Sequence, residues 1–326
     1  MKEFQIEKNQ SGQRLDKFLC KVLKSAPKSF IYKMLRKKNI TLNGKKAVGN
    51  EILAIDDQVK IFLSDETFHN FATDVKKDDI ILEDLPLVEL AIVFENDDYI
   101  VLNKPVGMLS QKAKADDISA NEYLLAYMYQ KQLISQESLR TFRPSICNRL
   151  DRNTSGLLIF GKSLFGLQQV SEWLNQRTVQ KYYLCVVMGQ LDQSMKITGF
   201  ITKDEYRNKV TIHQEETFDS SFIETEYEPL YFCQEFSVLK VHLITGRSHQ
   251  IRAHLSSIGH PILGDPKYDS IASRKISKTF HLQTQLLHAW KMITPDQLEF
   301  IAPVPESFYP FIESMKDFVS ETRSTI

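Results

Sequence analysis

The sequence has few of the residues that build disulfide frameworks, flexible linkers or membrane spans. Its 326 residues include four cysteines, none in a C-x-x-C pair: Cys20, Cys147, Cys185 and Cys233. This spacing excludes a disulfide-framed domain and a cysteine zinc site, and predicts reduced thiols. The 12 glycines and 11 prolines are too few for a collagenous or low-complexity chain. No apolar run approaches the roughly 20 residues of a membrane helix, and residues 1–7 lack an apolar signal core. We therefore expect a cytoplasmic protein without a metal site or a membrane partner.

The charge of the chain is balanced overall but not along its length. Lysine plus arginine and aspartate plus glutamate both number 41, yet residues 1–64 carry 14 basic and 6 acidic side chains. The net charge is therefore +8 in this part and −8 in the rest. Residues 14–46 hold eleven bases and one acid, Asp16. A solvated helix face usually mixes acids with bases, so this composition favours a module that binds nucleic acid.

The length predicts two domains, at roughly 100–200 residues each. We expect the first at residues 1–64, with two helices and two strands. The spacing of apolar residues predicts two buried helix faces, formed by Leu15, Phe18, Leu19, Val22 and Leu23 and by Ile31, Met34 and Leu35. Strands are predicted at 39–46, which contains an Asn-Gly turn, and at 58–63. Residues 65–88 are acidic and predict an irregular linker before a second domain at 89–326.

The pattern from residue 89 onward favours an α+β fold. A hairpin is predicted at 91–102, a capping box at 119–122 that starts a helix, and buried strands at 156–160 and 182–187. Two further strands are predicted at 224–231 and 237–244, and a helix at 247–257. Strands mostly follow strands, which favours a mixed, mainly antiparallel sheet over a doubly wound one.

Residues 156–163, G-L-L-I-F-G-K-S, match the P-loop pattern G-x-x-x-x-G-K-[ST]. A P-loop needs a turn whose backbone amides surround phosphates. The four residues between these glycines are Leu, Leu, Ile and Phe, which favour a buried strand. Nucleotide binding is therefore a distant alternative.

Two polar clusters are candidates for a site. Residues 148–156, N-R-L-D-R-N-T-S-G, place Asp151 between Arg149 and Arg152. In an extended chain Arg149 and Asp151 share a face while Leu150 points to the core. By itself this cluster also fits a structural Arg–Asp pair beside a turn.

The second cluster, residues 245–254, reads T-G-R-S-H-Q-I-R-A-H. We expect Gly246 to precede a helix whose free amides face an anion, with His249 and Arg252 on one face. The five-residue step from His249 to His254 does not suit a metal. The alternatives are packing and helix capping for the histidines and a surface salt bridge for Arg252.

Together these segments resemble the RluA-type pseudouridine synthases. The shared motifs are the two clusters above with V-L-N-K-P-V-G at 101–107, K-Y-Y at 181–183, G-H-P-I-L-G-D at 259–265 and L-H-A at 287–289. They follow the family's order and spacing across residues 90–305. Residues 1–64 resemble the alpha-L RNA-binding domain of the ribosomal S-four type. Residues 27–36, P-K-S-F-I-Y-K-M-L-R, are close to the RluC-like branch, which modifies large-subunit ribosomal RNA.

The resemblance implies a pseudouridine-synthase fold with an N-terminal alpha-L domain. The implied activity is isomerisation of uridine in 23S ribosomal RNA, without a cofactor. The implied catalytic residues are Asp151, Tyr183, which stacks on the uracil, and Arg252, which pairs with the aspartate. The resemblance also implies that Arg149 fills the gap that a flipped base leaves. Asp151 acts as a nucleophile or removes the ribose 2′-proton, and both roles stay open.

Further RNA contacts are expected from two groups of residues. In the catalytic domain they are Lys104, Arg247 and His249, and in the first domain they are Lys28, Lys33, Arg36, Lys37 and Lys38. Asn148 stands where the family usually has histidine, beside an intact Arg-Leu-Asp. We expect a monomer without an obligate protein partner. An RNA-binding assembly factor is the alternative, and the intact Asp151 argues against it. The target uridine, the number of targets, and ribosomal against transfer RNA are left open.

Overall fold

The computed structural model describes residues 1–72, 80–204, 206 and 208–313. They form a small four-stranded sheet with helices near the N-terminus and a large sheet of eleven strands. This is the α+β architecture that the sequence predicts, and the large sheet is mixed and mainly antiparallel. No helix in the described ranges is both long and apolar enough to cross a membrane.

The N-terminal sheet is antiparallel and is covered by two amphipathic helices. Its strands have the order β1-β4-β2-β3, where β1 is Lys2–Gln5, β2 is Ile40–Leu42, β3 is Lys45–Lys46 and β4 is Gln58–Ile61. The helices are α1, Leu15–Val22, and α2, Lys28–Arg36. All apolar residues of the two predicted helix faces are buried, which confirms both periodicities.

The strand prediction for this sheet was incomplete. Asn43 and Gly44 have φ angles of 51° and 73° and join β2 to β3, as the Asn-Gly pattern predicts. Strand β1, which pairs with β4, was missed. The sequence indicates β1 only by the short alternation of Phe4 and Ile6 with polar residues. The strand is stabilised by its pairing with β4.

The prediction that residues 65–88 are irregular is wrong at its start. Helix α3 spans Asp65–Ala72. Ser64 Oγ accepts a hydrogen bond from the Thr67 amide, which caps the helix. Phe68 and Phe71 pack against the N-terminal core, with the Phe71 ring centroid 4.6 Å from that of Phe30. A three-residue 3-10 helix follows at Leu82–Asp84, and residues 73–79 of the predicted linker lie outside the described residues.

The large sheet has the order β11-β10-β12-β13-β9-β14-β8-β6-β5, with β15 paired to β14 and β7 to β8. Its strands are β5 Ile92–Glu95, β6 Tyr99–Lys104, β7 Ser145–Ile146, β8 Ser155–Gly161, β9 Gln180–Met188, β10 Met195–Asp204, β11 Lys209–His213, β12 Ser221–Phe232, β13 Phe236–Leu243, β14 Leu287–Ile293 and β15 Glu299–Ile301. Among these described strands only β8 and β14 pair in parallel.

Helices and apolar clusters cover both faces of this sheet. The helices are α4 Ala120–Gln130, α5 Leu164–Asn175, α6 Gln250–Ser257, α7 Ile271–Thr279 and α8 Tyr309–Ile312, with short 3-10 helices at Ser138–Arg140 and Glu306–Phe308. Ser119 and Glu122 form the predicted capping box of α4. Along β9, Tyr183 and Cys185 belong to the core cluster on one face, whereas Leu184 and Val186 belong to another cluster.

The P-loop pattern is a buried strand. Strand β8 is buried along its whole length and pairs with β6 from Gly156 to Gly161. Lys162 donates hydrogen bonds to Glu95 and to the Asn96 carbonyl. The backbone here serves the sheet and does not form a phosphate-binding loop.

Gly156 permits the close approach of β8 and β14. Its φ is +107°, and a Cβ atom there would lie 2.2 Å from the Ala289 carbonyl oxygen. That oxygen belongs to the backbone of β14, so it cannot rotate away.

We predict that Gly156→Ala destabilises the protein by more than about 3 kcal/mol, because overpacking adds to backbone strain. Gly259→Ala is the matched control, since Gly259 has a φ of +87° with open space around its Cβ position. The control loses about 1–2 kcal/mol from strain alone. Urea unfolding measures both, and equal losses would contradict the close-approach explanation.

Candidate active site

Asp151 lies in the loop between β7 and β8. The loop is anchored by Leu150, whose side chain is buried as predicted and whose backbone N–H donates to Ser110 Oγ at 3.0 Å. The Asp151 carbonyl accepts from the Thr154 amide at 3.0 Å, which forms a turn. The Asp151 side chain is 25% exposed, and Arg149 beside it is exposed. The carboxylate is therefore held in place and open to a substrate.

Arg252 on α6 connects Asp151 to a second carboxylate. Its Nη1 donates to Asp151 Oδ2 at 2.7 Å, while Nε and Nη2 donate to Asp265 at 2.7 and 2.8 Å. Arg252 is 4% exposed and the Asp265 side chain 0%, so the surface salt-bridge alternative is wrong. Sequence reasoning quoted Asp265 within a motif but missed it as a site residue. The signal that could have identified Asp265 is the position of its carboxylate just after the apolar run 261–263.

Burial and ion pairing act in opposite directions on this pair. Burial by itself would lower the pKa of Arg252, but Asp265 and Asp151 raise it above its ordinary value. Burial by itself would raise the pKa of Asp265, but the Arg252 guanidinium lowers it below its ordinary value. Both groups are therefore charged at neutral pH, and their bidentate bond fixes the guanidinium plane.

Tyr183 on β9 lies in the same region and is 6% exposed. Burial, reinforced by the negative charge of Asp151, raises the pKa of its phenol above the ordinary value. The hydroxyl therefore stays protonated at neutral pH and is able to donate a hydrogen bond.

His249 lies just before α6 in the left-handed conformation, with φ of 55°. Its Nε2 is 3.9 Å from Asp151 Oδ2, and its Nδ1 is 2.9 Å from the Tyr268 hydroxyl. Burial lowers the pKa of His249, against the influence of Asp151. The structure thus brings together His249, Arg252 and Asp151 and adds Tyr268, which sequence reasoning missed.

The predicted anion site at Gly246 is not formed as expected. Helix α6 begins at Gln250, three residues later than predicted, because His249 is left-handed. The Gln250 side-chain oxygen accepts the Arg247 amide at 3.0 Å and the Thr245 hydroxyl at 2.9 Å. The Arg247 amide, which was expected to face an anion, therefore already donates its hydrogen bond to Gln250. The Arg247 side chain is exposed, as an RNA contact requires.

Lys104 is not available for the RNA contact expected of it. It is 0% exposed, and its Nζ donates to the carbonyls of Pro105, Met108 and Arg152 at 3.0, 2.9 and 3.2 Å. Burial lowers the pKa of Lys104 to about 8, although Asp151 opposes this shift. Lys104 therefore joins the loop after β6 to the residue that follows Asp151. A lone lysine before a proline gave no signal of burial.

The basic residues predicted in the N-terminal module do lie on its surface. Lys28, Lys33, Arg36, Lys37 and Lys38 are exposed on α2 and at its C-terminal end. The apolar stripe of α2 faces the core, so these side chains form a basic face on the opposite side. We call this set the α2 basic face.

Asn148 completes the support of the Asp151 loop. Its Oδ1 accepts from the Ile159 amide at 2.7 Å, and its Nδ2 donates to the Leu157 carbonyl at 3.3 Å. The carboxamide thus pairs with alternate backbone groups of β8, as a neighbouring strand would.

Comparisons with known proteins identify the family of this chain. The family described as RNA pseudouridylate synthase matches residues 98–257. Ribosomal large subunit pseudouridine synthase C of Haemophilus influenzae is 31% identical over 294 residues, which cover 90% of this chain and 86% of the relative. The chain belongs to the pseudouridine synthase family.

Other relatives of the synthase extend the likeness. Ribosomal large subunit pseudouridine synthase C of Vibrio cholerae is 28% identical, with 92% of this chain and 89% of the relative covered. The solved structure of human RNA Pseudouridylate Synthase Domain Containing 1 has a TM-score of 0.54 at 21% identity, and the match covers 72% of this chain and 95% of that chain. These findings confirm the predicted fold class and the RluA-type enzyme. Within the described residues the synthase has no cluster of three potential metal ligands.

We predict that Asn148→Ala lowers the unfolding free energy of the synthase by about 1–3 kcal/mol, since the Ile159 amide loses its acceptor. Asn148→His offers one nitrogen acceptor to that amide and should recover part of the loss. Asn148→Asp keeps the acceptor but loses the donor to Leu157, so it should also be intermediate. Urea unfolding measures all three, and a histidine variant as unstable as alanine would contradict the pairing explanation.

Proposed function

We propose that this chain isomerises specific uridines of large-subunit (23S) ribosomal RNA to pseudouridine. The observation that carries the proposal is the partly exposed Asp151 carboxylate, held by the buried Arg252 at 2.7 Å. The printed names of the relatives, ribosomal large subunit pseudouridine synthase C, support the choice of RNA. The cytoplasm is the compartment we propose, because it fits such a substrate.

The reaction breaks the bond from ribose C1′ to uracil N1 and forms a bond from C1′ to C5. The proton on C5 is lost and N1 gains one, so the step is redox-neutral and needs no cofactor. Asp151 supplies the reactive carboxylate, either as a nucleophile or as the base that removes the 2′-proton. Arg252 holds one oxygen of that carboxylate and so fixes its direction.

Tyr183 and Arg149 complete the proposed site. The buried ring of Tyr183 stacks on uracil, and its protonated hydroxyl donates a hydrogen bond. Arg149 is exposed beside Asp151, so it can enter the RNA stack when the target base leaves it. Base extrusion requires a few kcal/mol of unstacking energy, which contacts of this kind offset.

The N-terminal module supplies RNA affinity through the α2 basic face. We propose that it is an alpha-L RNA-binding domain and that it extends to Ala72, because α3 packs on its core. The catalytic domain is proposed at residues 89–326. Phosphate contacts from the module select an RNA region, and the catalytic site selects the uridine. We propose that one chain acts alone as a monomer.

We predict that Asp151→Asn abolishes pseudouridine formation, with a loss of at least about 1,000-fold in rate. The fold should survive, because Arg252 keeps its bidentate partner Asp265. Tritium release from ribosomal RNA labelled at uracil C5 measures the rate, and thermal unfolding checks the fold. Near-normal release from a folded variant would contradict the assignment of Asp151.

We predict that charge reversal on the α2 basic face weakens RNA binding and flattens its salt dependence. Each lost phosphate contact should reduce the log–log salt slope by roughly 0.7–0.9. Reversal of Lys33, Arg36, Lys37 and Lys38 to glutamate tests four of the five residues of the face, and Lys33→Glu with Lys37→Glu tests two of them.

The matched control for the two-residue variant is Lys275→Glu with Lys278→Glu. These two lysines are exposed on α7, so the change in net charge is the same. We expect the control to keep a slope close to that of the wild type. Equal slopes for the wild type, the α2 variants and the control would contradict RNA binding by the α2 basic face.

A further inference from the structure

The Tyr268 hydroxyl lies against one ring nitrogen of His249. A phenol has one proton to donate and two lone pairs to accept with. The backbone N–H of Val210 donates to the Tyr268 oxygen at 2.9 Å, which uses one lone pair. Nδ1 of His249 lies 2.9 Å from the same oxygen. Among the described contacts of the Tyr268 hydroxyl, His249 Nδ1 is the group that can accept its proton.

An Nδ1 atom that accepts a hydrogen bond carries no proton. A neutral imidazole then carries its proton on Nε2. Burial favours this neutral form of His249, and the nearby cations Arg252 and Lys267 favour it too, while Asp151 and Asp265 oppose them. With the Tyr268 hydroxyl as the donor, the neutral ring carries its N–H on Nε2, the nitrogen nearer Asp151.

The Nε2 atom lies 3.9 Å from Asp151 Oδ2, too far for a direct hydrogen bond. That oxygen already accepts from Arg252. His249 has a φ of 55°, and this left-handed conformation costs conformational free energy in a residue other than glycine. The fold nevertheless holds the ring in this direction. A donor beside a reactive carboxylate, without a direct bond to it, is placed to contact what the carboxylate acts on.

We propose that His249 donates a hydrogen bond from Nε2 to an oxygen atom of the target uridine, and that Tyr268 is the positioning residue that fixes this tautomer. This inference rests on the proposed function of Asp151. It assigns a contact at the site of reaction to a residue that the sequence suggested only as a general RNA contact.

His254, on the same helix, shows what a structural histidine looks like here. It is fully buried, its Nδ1 lies 2.9 Å from Thr225 Oγ1, and its Nε2 has no hydrogen-bond partner among the described residues. No ion pair joins it to Asp151 in the described residues. His249 differs because both of its nitrogens face polar groups, one of them Asp151.

The hydroxyl of Tyr268 can be removed without its ring. The ring centroid lies 5.2 Å from the Arg252 guanidinium carbon, so the ring also supports Arg252. Tyr268→Phe keeps this stacking and removes the hydroxyl, which takes away the partner of His249 Nδ1 and the acceptor of the Val210 amide. Tyr182→Phe is the matched control. The Tyr182 hydroxyl donates to Gln180. Because Tyr182 is next to Tyr183 on β9, its side chain points to the opposite face of the sheet.

The first measurement is the ¹⁵N spectrum of the histidine side chains in the full-length protein without RNA. We expect the His249 signals of the wild type and of Tyr182→Phe to show a proton on Nε2 at pH 7.5. Tyr268→Phe should show a mixture of tautomers. A proton on Nδ1, or a charged ring, in the wild type would overturn the proposal.

The second measurement is the single-turnover rate on ribosomal RNA. We expect His249→Phe to slow the reaction about 10- to 100-fold, and His249→Gln to recover most of the rate, since its amide can donate from a similar position. Tyr268→Phe should lose less than His249→Phe, and Tyr182→Phe should match the wild type.

Two outcomes separate failure of this inference from failure of the proposed function. An active wild type whose rate is unchanged by His249→Phe would overturn the role of His249 alone. A wild type that forms no pseudouridine in ribosomal RNA would overturn the proposed function, and with it the contact to uridine.

Discussion

The buried guanidinium of Arg252 is the constraint on which the site depends. A charge in the protein interior needs charged and hydrogen-bonding partners, and removal of one partner costs about 3–5 kcal/mol. Asp265, itself buried, meets two of the guanidinium nitrogens, and Asp151 meets the third. Helix α6, the segment that ends at Asp265 and the loop before β8 must therefore meet at one point. The same requirement that stabilises the fold also aims the Asp151 carboxylate.

The loop that carries Asp151 is supported from its other side as well. The Lys104 ammonium donates hydrogen bonds to the Pro105 carbonyl in the loop after β6 and to the Arg152 carbonyl in the loop that carries Asp151. It therefore links the two loops. Asn148 pairs with β8 before the loop, and Gly156 lets β14 approach β8 after it. Groups that are fixed in advance need little rearrangement when the substrate binds, which is how positioning accelerates a reaction. Asp151 itself stays partly exposed, because these supporting contacts involve its neighbours in the loop and leave part of its carboxylate uncovered.

The two parts of the chain differ in net charge. The N-terminal module presents the α2 basic face, and the remainder of the chain carries a net negative charge. In the proposed function, the module supplies the long-range attraction for RNA and the catalytic site relies on local bases such as Arg149 and Arg247. Helix α3 fastens the start of the acidic segment to the module through Phe68 and Phe71. Its two phenylalanines thus outweigh the acidic composition that predicted an irregular linker.

The sequence by itself determined the α+β class, the helix faces of α1 and α2, the Asn-Gly hairpin and the capping box of α4. These features depend on residues within a few positions of one another, so their patterns can be read locally. The family motifs also identified Asp151, Tyr183 and Arg252 as candidates. Only the tertiary structure decided that Lys104 is buried, that Asp265 shares Arg252 with Asp151, and that Tyr268 lies against Nδ1 of His249. Those contacts join residues far apart in the chain, 101 positions for Arg252 and Asp151, and their burial and direction arise only when the sheet and α6 pack together.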